Sequence, residues 1–131
     1  MAEEAPISLP RTLVNQLLHA AQLNSSQVHW GIISGHNGNP EHCHALNGNK
    51  LPALQAVNTL REALTLNREQ VWALYCSTSG EIQVPSPGEL ARIRIPRFLC
   101  TSLGTKGVLQ LRSWRVDDTN LRELGITISE D

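Results

Sequence analysis

A thiol, two hydroxyls and a carboxylate fall close together in the second half of the chain, at Cys76, Thr78, Ser86 and Glu89. They follow the apolar run Val71 to Tyr75, which reads as a buried strand, and they straddle a loop of small polar residues beginning at Cys76. Pro85-Ser86-Pro87-Gly88-Glu89-Leu90 then reads as a helix start, with Ser86 as N-cap, Pro87 as first helical residue and Glu89 as the N3 acid of a capping box. A strand that empties polar side chains into a loop, faced by a capped helix, is a natural place for a site. Cys76 could ligate zinc as a thiolate and Glu89 through its carboxylate, whereas the neutral hydroxyl of Thr78 is a poor ligand. Each residue also has a plain packing role: Cys76 as a small buried hydrophobe, Thr78 and Ser86 as loop and cap hydroxyls, Glu89 as the capping acid.

A second constellation is His42-Cys43-His44. On a strand, alternate side chains share a face, so His42 and His44 point one way and Cys43 packs on the other. A histidine pair at this spacing is a metal-binding geometry, and His29 or His36 could approach it across a hairpin. The same pattern also describes a strand with one solvated face. Metal candidates are therefore Cys76, Glu89, His42 and His44. His19 lies beside the apolar stripe of a helix, where an edge position suffices to explain it.

The elements that position these residues follow from periodicity. Ile7 to Pro10 is a short extended entry, and Pro10 opens a helix to about Leu23 with Leu13, Val14, Leu17, Leu18 and Ala21 on one stripe. Asn24 to Ser26 is a turn. Val28 to Ser34 is a strand apolar on both faces apart from His29, and so central. His36 to Pro40 is a hairpin turn, Glu41 to Leu46 the return strand, and Asn47 to Asn49 its end. Leu51 to Leu66 reads as a second helix with Leu54, Val57, Leu60 and Leu64 in step. A strand from Gln70 to Cys76 leads to the loop and to a short helix through about Ile93, which Pro96 closes. Arg97 to Leu103, Val108 to Val116 and an edge strand within Leu121 to Ile128 complete the chain, with turns at Gly104 to Gly107 and Asp117 to Asn120. Trp30, Trp72 and Trp114 fall in strands and read as core, with groove-lining as the alternative for one of them. The order predicts an α/β (α+β) sandwich: one domain over residues 1–131, with a mainly antiparallel sheet flanked by helices.

The stretch from Cys76 to Glu89 resembles the signature of the JAB/MPN (JAMM-type) metallopeptidase family, His-x-His, seven residues, Ser-x-x-Asp. Cys76 stands at the first His position, Thr78 at the second, Ser86 at the Ser, preceded by Pro85, and Glu89 at the Asp. The family's upstream catalytic Glu corresponds to Val28 in Val28-His29-Trp30-Gly31. The resemblance implies the family's cytidine-deaminase-like fold over nearly the whole chain, with the strand before Cys76 beside the strand that carries Val28. It further implies a site built for one zinc, two imidazoles, a carboxylate and a base, with a Ser helping to hold an oxyanion. Here Val28 cannot accept a proton, Thr78 replaces an imidazole, and acid–base catalysis alone is worth about 10²–10⁴-fold. The pocket Val28, Cys76, Thr78, Ser86 and Glu89 is therefore read as vestigial, with no confident catalytic residue and no cofactor expected. Zinc in a rebuilt hydrolase site is the alternative.

Composition sets further bounds. The chain has 131 residues, 40% hydrophobic and 18% charged, with a formal net charge of −1, which suits one globular domain. It has no basic block, so a nucleic-acid partner is not indicated, and no apolar run of membrane-spanning length. Its N-terminus lacks a signal-peptide core, and the three widely spaced cysteines, Cys43, Cys76 and Cys100, suit a reduced, cytoplasmic protein. What the resemblance implies is an inactive domain that binds a peptide tail or a partner subunit, in a homo- or hetero-oligomer. A dead site could keep the family's binding of a ubiquitin-like tail by strand addition, with Arg97 to Leu103 and the Gly80 to Pro85 loop as groove walls. The compact, insert-free chain looks closest to small bacterial members, which the resemblance links to sulfur-carrier systems. An unrelated small α/β binding module is the remaining alternative.

Overall fold

The computed structural model describes residues 6–23, 28–46, 50–79, 84–103, 109–117 and 119–130. The elements run β1 (Ile7–Pro10), α1 (Arg11–Leu23), β2 (His29–His36), β3 (Asn39–Leu46), α2 (Leu54–Leu66), β4 (Gln70–Thr78), α3 (Pro87–Arg92), β5 (Arg97–Leu103), β6 (Leu109–Asp117), β7 (Asn120–Leu124) and β8 (Ile126–Ser129). Six strands form one sheet in the order β3-β2-β4-β5-β6-β7, while β1 and β8 pair separately. Only β4–β5 is a parallel neighbour within the large sheet, and β1–β8 is parallel too.

β2 is apolar on both faces because both are covered. Trp30 and Ile32 face one core cluster with Val57 and Leu64 of α2, Leu90 of α3, and Leu74, Cys76, Phe98, Cys100 and Trp114 of the sheet. Ile33 faces a second cluster with Leu13, Val14 and Leu17 of α1, Leu9 of β1, and Trp72, Ala73, Tyr75 and Leu99. The helices thus lie on opposite sides of the sheet, each contributing the stripe that its periodicity predicts. Tyr75 is buried, and its hydroxyl is satisfied by Thr101 Oγ1 at 2.7 Å.

The β2–β3 hairpin closes through Asn37 and Gly38, with φ of 54° and 80°, the left-handed pair that twist-matched two-residue turns require. A register shift follows Ser34, and there Gly35 runs so close to the return strand that a Cβ would sit 1.7 Å from the Asn39 carbonyl oxygen. α2 begins at Leu54 rather than Leu51, because Pro52 disfavours helical backbone at the residue before it. Leu54 is consequently 36% exposed and no part of the buried stripe.

Three further expectations change. β5, read above as a groove-lining edge, lies inside the sheet between β4 and β6. The single strand expected within Leu121 to Ile128 is two, divided at Gly125: β7 is the sheet edge and β8 leaves to pair with β1. The strand before the loop continues past Cys76 to Thr78. The expected turns at Asn24 to Ser26, Asn47 to Asn49 and Gly104 to Gly107, and residues 80–83 of the loop, lie outside the described residues.

Candidate functional site

Strand register assembles the first candidate site. β2 and β4 pair antiparallel with Trp30 opposite Cys76 and His29 opposite Ser77, and β4 and β5 pair with Cys76 opposite Cys100 and Thr78 opposite Ser102. Leu46 faces Trp30 from β3, and Arg112 faces Cys100 from β6. One row, Leu46–Trp30–Cys76–Cys100–Arg112, therefore crosses five strands on the α2 and α3 side. Val28, just before β2, packs half-buried against the same cluster. The strand that ends past Cys76 does lie beside the strand that Val28 precedes.

Ser86 and Glu89 are each taken up in capping α3. The Ser86 N–H donates to Glu89 Oε1 at 3.0 Å, and the Glu89 N–H donates to Ser86 Oγ at 3.1 Å. The Ser86 N–H first, then the Ser86 hydroxyl and the charge of Arg92, hold the Glu89 carboxyl below the usual carboxylate range. Cys76 is 1% exposed and Cys100 0%. The Cys100 thiol donates to the Thr101 carbonyl at 3.5 Å. Cys100 beside it draws the Cys76 thiol below its ordinary range against the opposing effect of burial, while Cys76 and burial push Cys100 up. The Trp30 indole Nε1 is buried in this cluster without a hydrogen-bond partner among the described residues.

A four-coordinate catalytic zinc takes three protein ligands and leaves one position for water. The residues here do not fit that need. Cys76 can supply a thiolate, Thr78 offers only a neutral hydroxyl, and the Glu89 carboxylate is engaged in its cap. Among the described residues no group of three or more His, Cys, Asp or Glu side chains is placed to hold a metal ion.

The second constellation lies at the opposite end of β2. Ser34 pairs with His42 on one side and Val71 on the other, whereas His29 pairs with Ser77. His29 is therefore remote from the histidine pair, and His36 is the one that joins it. His36 Nδ1 lies 3.0 Å from Glu41 Oε1, and this bond raises the imidazole pKa above its ordinary value. His42 and His44 stack edge-on with ring centroids 6.5 Å apart. Cys43 points the other way and packs against the α1-side cluster, where burial pushes its thiol up to about 12.

His44 Nε2 is 2.7 Å from Ser34 Oγ, and Ser34 Oγ is 3.0 Å from Glu69 Oε1. A serine, a histidine and a glutamate are the members of a hydrolytic triad, but their order is wrong. A triad puts the histidine between the other two, so that it can take the hydroxyl proton. Here serine is in the middle with one proton. It donates to the Glu69 carboxylate, and His44 must then donate its Nε2–H to Ser34. Ser34 is 0% exposed, and its one proton is committed to Glu69. The chain of bonds is a half-buried polar bridge fastening β3 and β2 to the segment that follows α2. Sequence reading missed Ser34, Glu69 and Cys100, since only strand pairing brings them to their partners.

A groove of about 810 Å³ runs between the end of β3 and α2, lined by Ala45, Leu46, Lys50, Leu51, Ala56 and Leu60 among others. It opens beside a sheet-edge strand, at the end of the sheet where Cys76 lies. The expected groove walls at Arg97 to Leu103 do not form an open edge; this strand and α2 do.

No protein-family model and no curated protein matches the chain. Solved structures do. A protein of Desulfitobacterium hafniense, DSY2949, is 16% identical with a TM-score of 0.71, over 95% of this chain and 93% of that one. AF2198, a JAB1/MPN domain protein from Archaeoglobus fulgidus, is 13% identical with a TM-score of 0.58, over 92% and 99%. A protein of Salinibacter ruber is 14% identical with a TM-score of 0.60, over 93% and 90%. At these identities the likeness is one of fold: an α+β, mainly antiparallel sheet flanked by helices, of the JAB/MPN kind. No helix among the described residues is long and apolar enough to cross a membrane.

Proposed function

We propose that this chain is a degenerate JAB/MPN-like domain, catalytically inactive, that works by binding a protein or peptide partner. The observation that carries the reading is the fate of the site carboxylate. Glu89 and Ser86 bond to each other's backbone as a helix cap. Around them the remaining positions are filled for packing: Val28 against the core, and Cys76 within it beside Cys100. The occupant we favour is an extended tail, such as that of a ubiquitin-like protein, added to the free edge of β3 over the apolar groove along α2, where backbone bonds supply affinity and the groove takes a side chain. A partner subunit on the same edge is the variant of this reading.

A zinc-dependent hydrolase with a rebuilt site is the second reading, favoured by one observation: Cys100, the ladder partner of Cys76, draws the Cys76 thiol pKa down and so makes it a readier ligand. Two measurements separate them. Elemental analysis of the untagged protein, dialysed against trace zinc, is expected to find zinc far below one per chain. One zinc per chain, lost on Cys76→Ala, would establish the rebuilt site instead. Amide spectra recorded with a ubiquitin-like protein, tail intact or removed, are expected to shift along β3 and α2 with the intact tail only. Absence of any shift would end the tail-binding reading.

A further inference from the structure

Two of the three cysteines meet, and nothing in the packing requires both to be thiols. Cys76 on β4 and Cys100 on β5 are direct partners in the parallel ladder, and both side chains enter the same core cluster. Neighbouring strands run about 4.7–4.9 Å apart, inside the Cα separation of about 4.4–6.8 Å that a disulfide spans. The two side chains share one face of the sheet, and each shifts the acidity of the other. The Arg112 guanidinium belongs to the next residue in the same row and adds positive charge on the Cys100 side. Cys43 lies across the sheet in the other cluster and has no access to either.

We infer that Cys76 and Cys100 form a reversible two-electron redox pair, oxidised to an intramolecular disulfide by a small hydroperoxide. The Cys76 sulfur attacks one peroxide oxygen. An S–O bond forms, the O–O bond breaks, and the departing oxygen leaves as water or an alcohol after taking a proton. Cys100 then attacks the resulting sulfenic sulfur, forming the S–S bond and breaking the S–O bond, with release of water. In balance, two thiols and one hydroperoxide give one disulfide, one alcohol or water, and one water; the sulfurs lose the two electrons that the peroxide gains. Because β4 stops at Thr78, only two residues past Cys76, the bond would tie β4 to β5 close to the end of β4. This inference does not depend on whether the domain binds a tail.

The test treats the folded full chain with hydrogen peroxide, quenches it, unfolds it, alkylates the remaining free thiols and maps the peptides by mass. The expected product is a Cys76–Cys100 crosslink lighter by two hydrogens, reversed by a dithiol reductant, with Cys43 still alkylated. It is expected to form equally in Cys43→Ser. In Cys100→Ala the crosslink is expected to be replaced by a Cys76 sulfenic acid that a carbon-acid trap captures. Full alkylation of Cys76 and Cys100 after native peroxide treatment would overturn the pair. So would a crosslink that includes Cys43.

Discussion

At the scale of single residues, what decides the first site is how each polar group is already engaged. Ser86 and Glu89 cap α3 reciprocally, and removing the N-cap oxygen with Ser86→Ala is expected to cost about 1 kcal/mol, read as a lowered thermal midpoint. The Glu89 carboxyl is held below its ordinary value, so its contribution is present above the unfolded pKa and is lost as pH falls through the folded one. Glu89→Gln is therefore expected to be less stable than wild type at neutral pH and to approach it in acid. His36 has the opposite sign. Its bond to Glu41 raises the imidazole pKa, so the contribution is complete below the unfolded value near 6.5 and fades as pH rises through the folded one. A histidine NMR titration is expected to place His36 above 6.5, and Glu41→Gln to lower it. The capping box was legible in the sequence because it is a local pattern of Ser, Pro and Glu at fixed spacing. The Ser34 bridge and the Cys76–Cys100 pair were not, because their partners are distant in sequence and meet only through register.

At the scale of elements, alternation and helical period were sufficient to find the helices and most strands, and Asn37-Gly38 announced the hairpin. Neighbour relations were less readable. Nothing local to Arg97 to Leu103 says that it pairs parallel to β4, and the expectation of an edge there failed for that reason. The division at Gly125 escaped for another: Leu121 to Ile128 reads as one extended run, and only the second sheet draws its latter half away. The hairpin offers a paired experiment on these local rules. Gly35→Ala places a methyl 1.7 Å from a backbone oxygen that cannot yield, and is expected to cost about 3 kcal/mol. Gly38→Ala meets no atom within 4 Å but keeps a φ of 80°, and is expected to cost only about 1 kcal/mol. Denaturant melts of the two variants would check the order. Equal losses would mean that the register shift beside Gly35 relaxes to admit a side chain.

At the scale of the whole molecule, one sheet separates two apolar layers, and the two groups of chemistry-bearing residues occupy opposite ends of one of its faces. The Cys76 end has the groove; the His44 end has the bonds that join His44, Ser34 and Glu69. The β1–β8 pair stands apart from both. Its four registered positions run parallel, from Ile7 beside Ile126 to Pro10 beside Ser129, and side chains join the same strands, with Thr127 donating to the Ile7 carbonyl and Arg11 bonded to Glu130. This is a mechanical arrangement. Tension that draws the start of β1 and the end of β8 in opposite directions slides two parallel strands past each other, so the ladder is loaded in shear across its whole width rather than peeled open one bond at a time. Pull transmitted along the chain from either side would meet this clasp before it reached the six-stranded sheet.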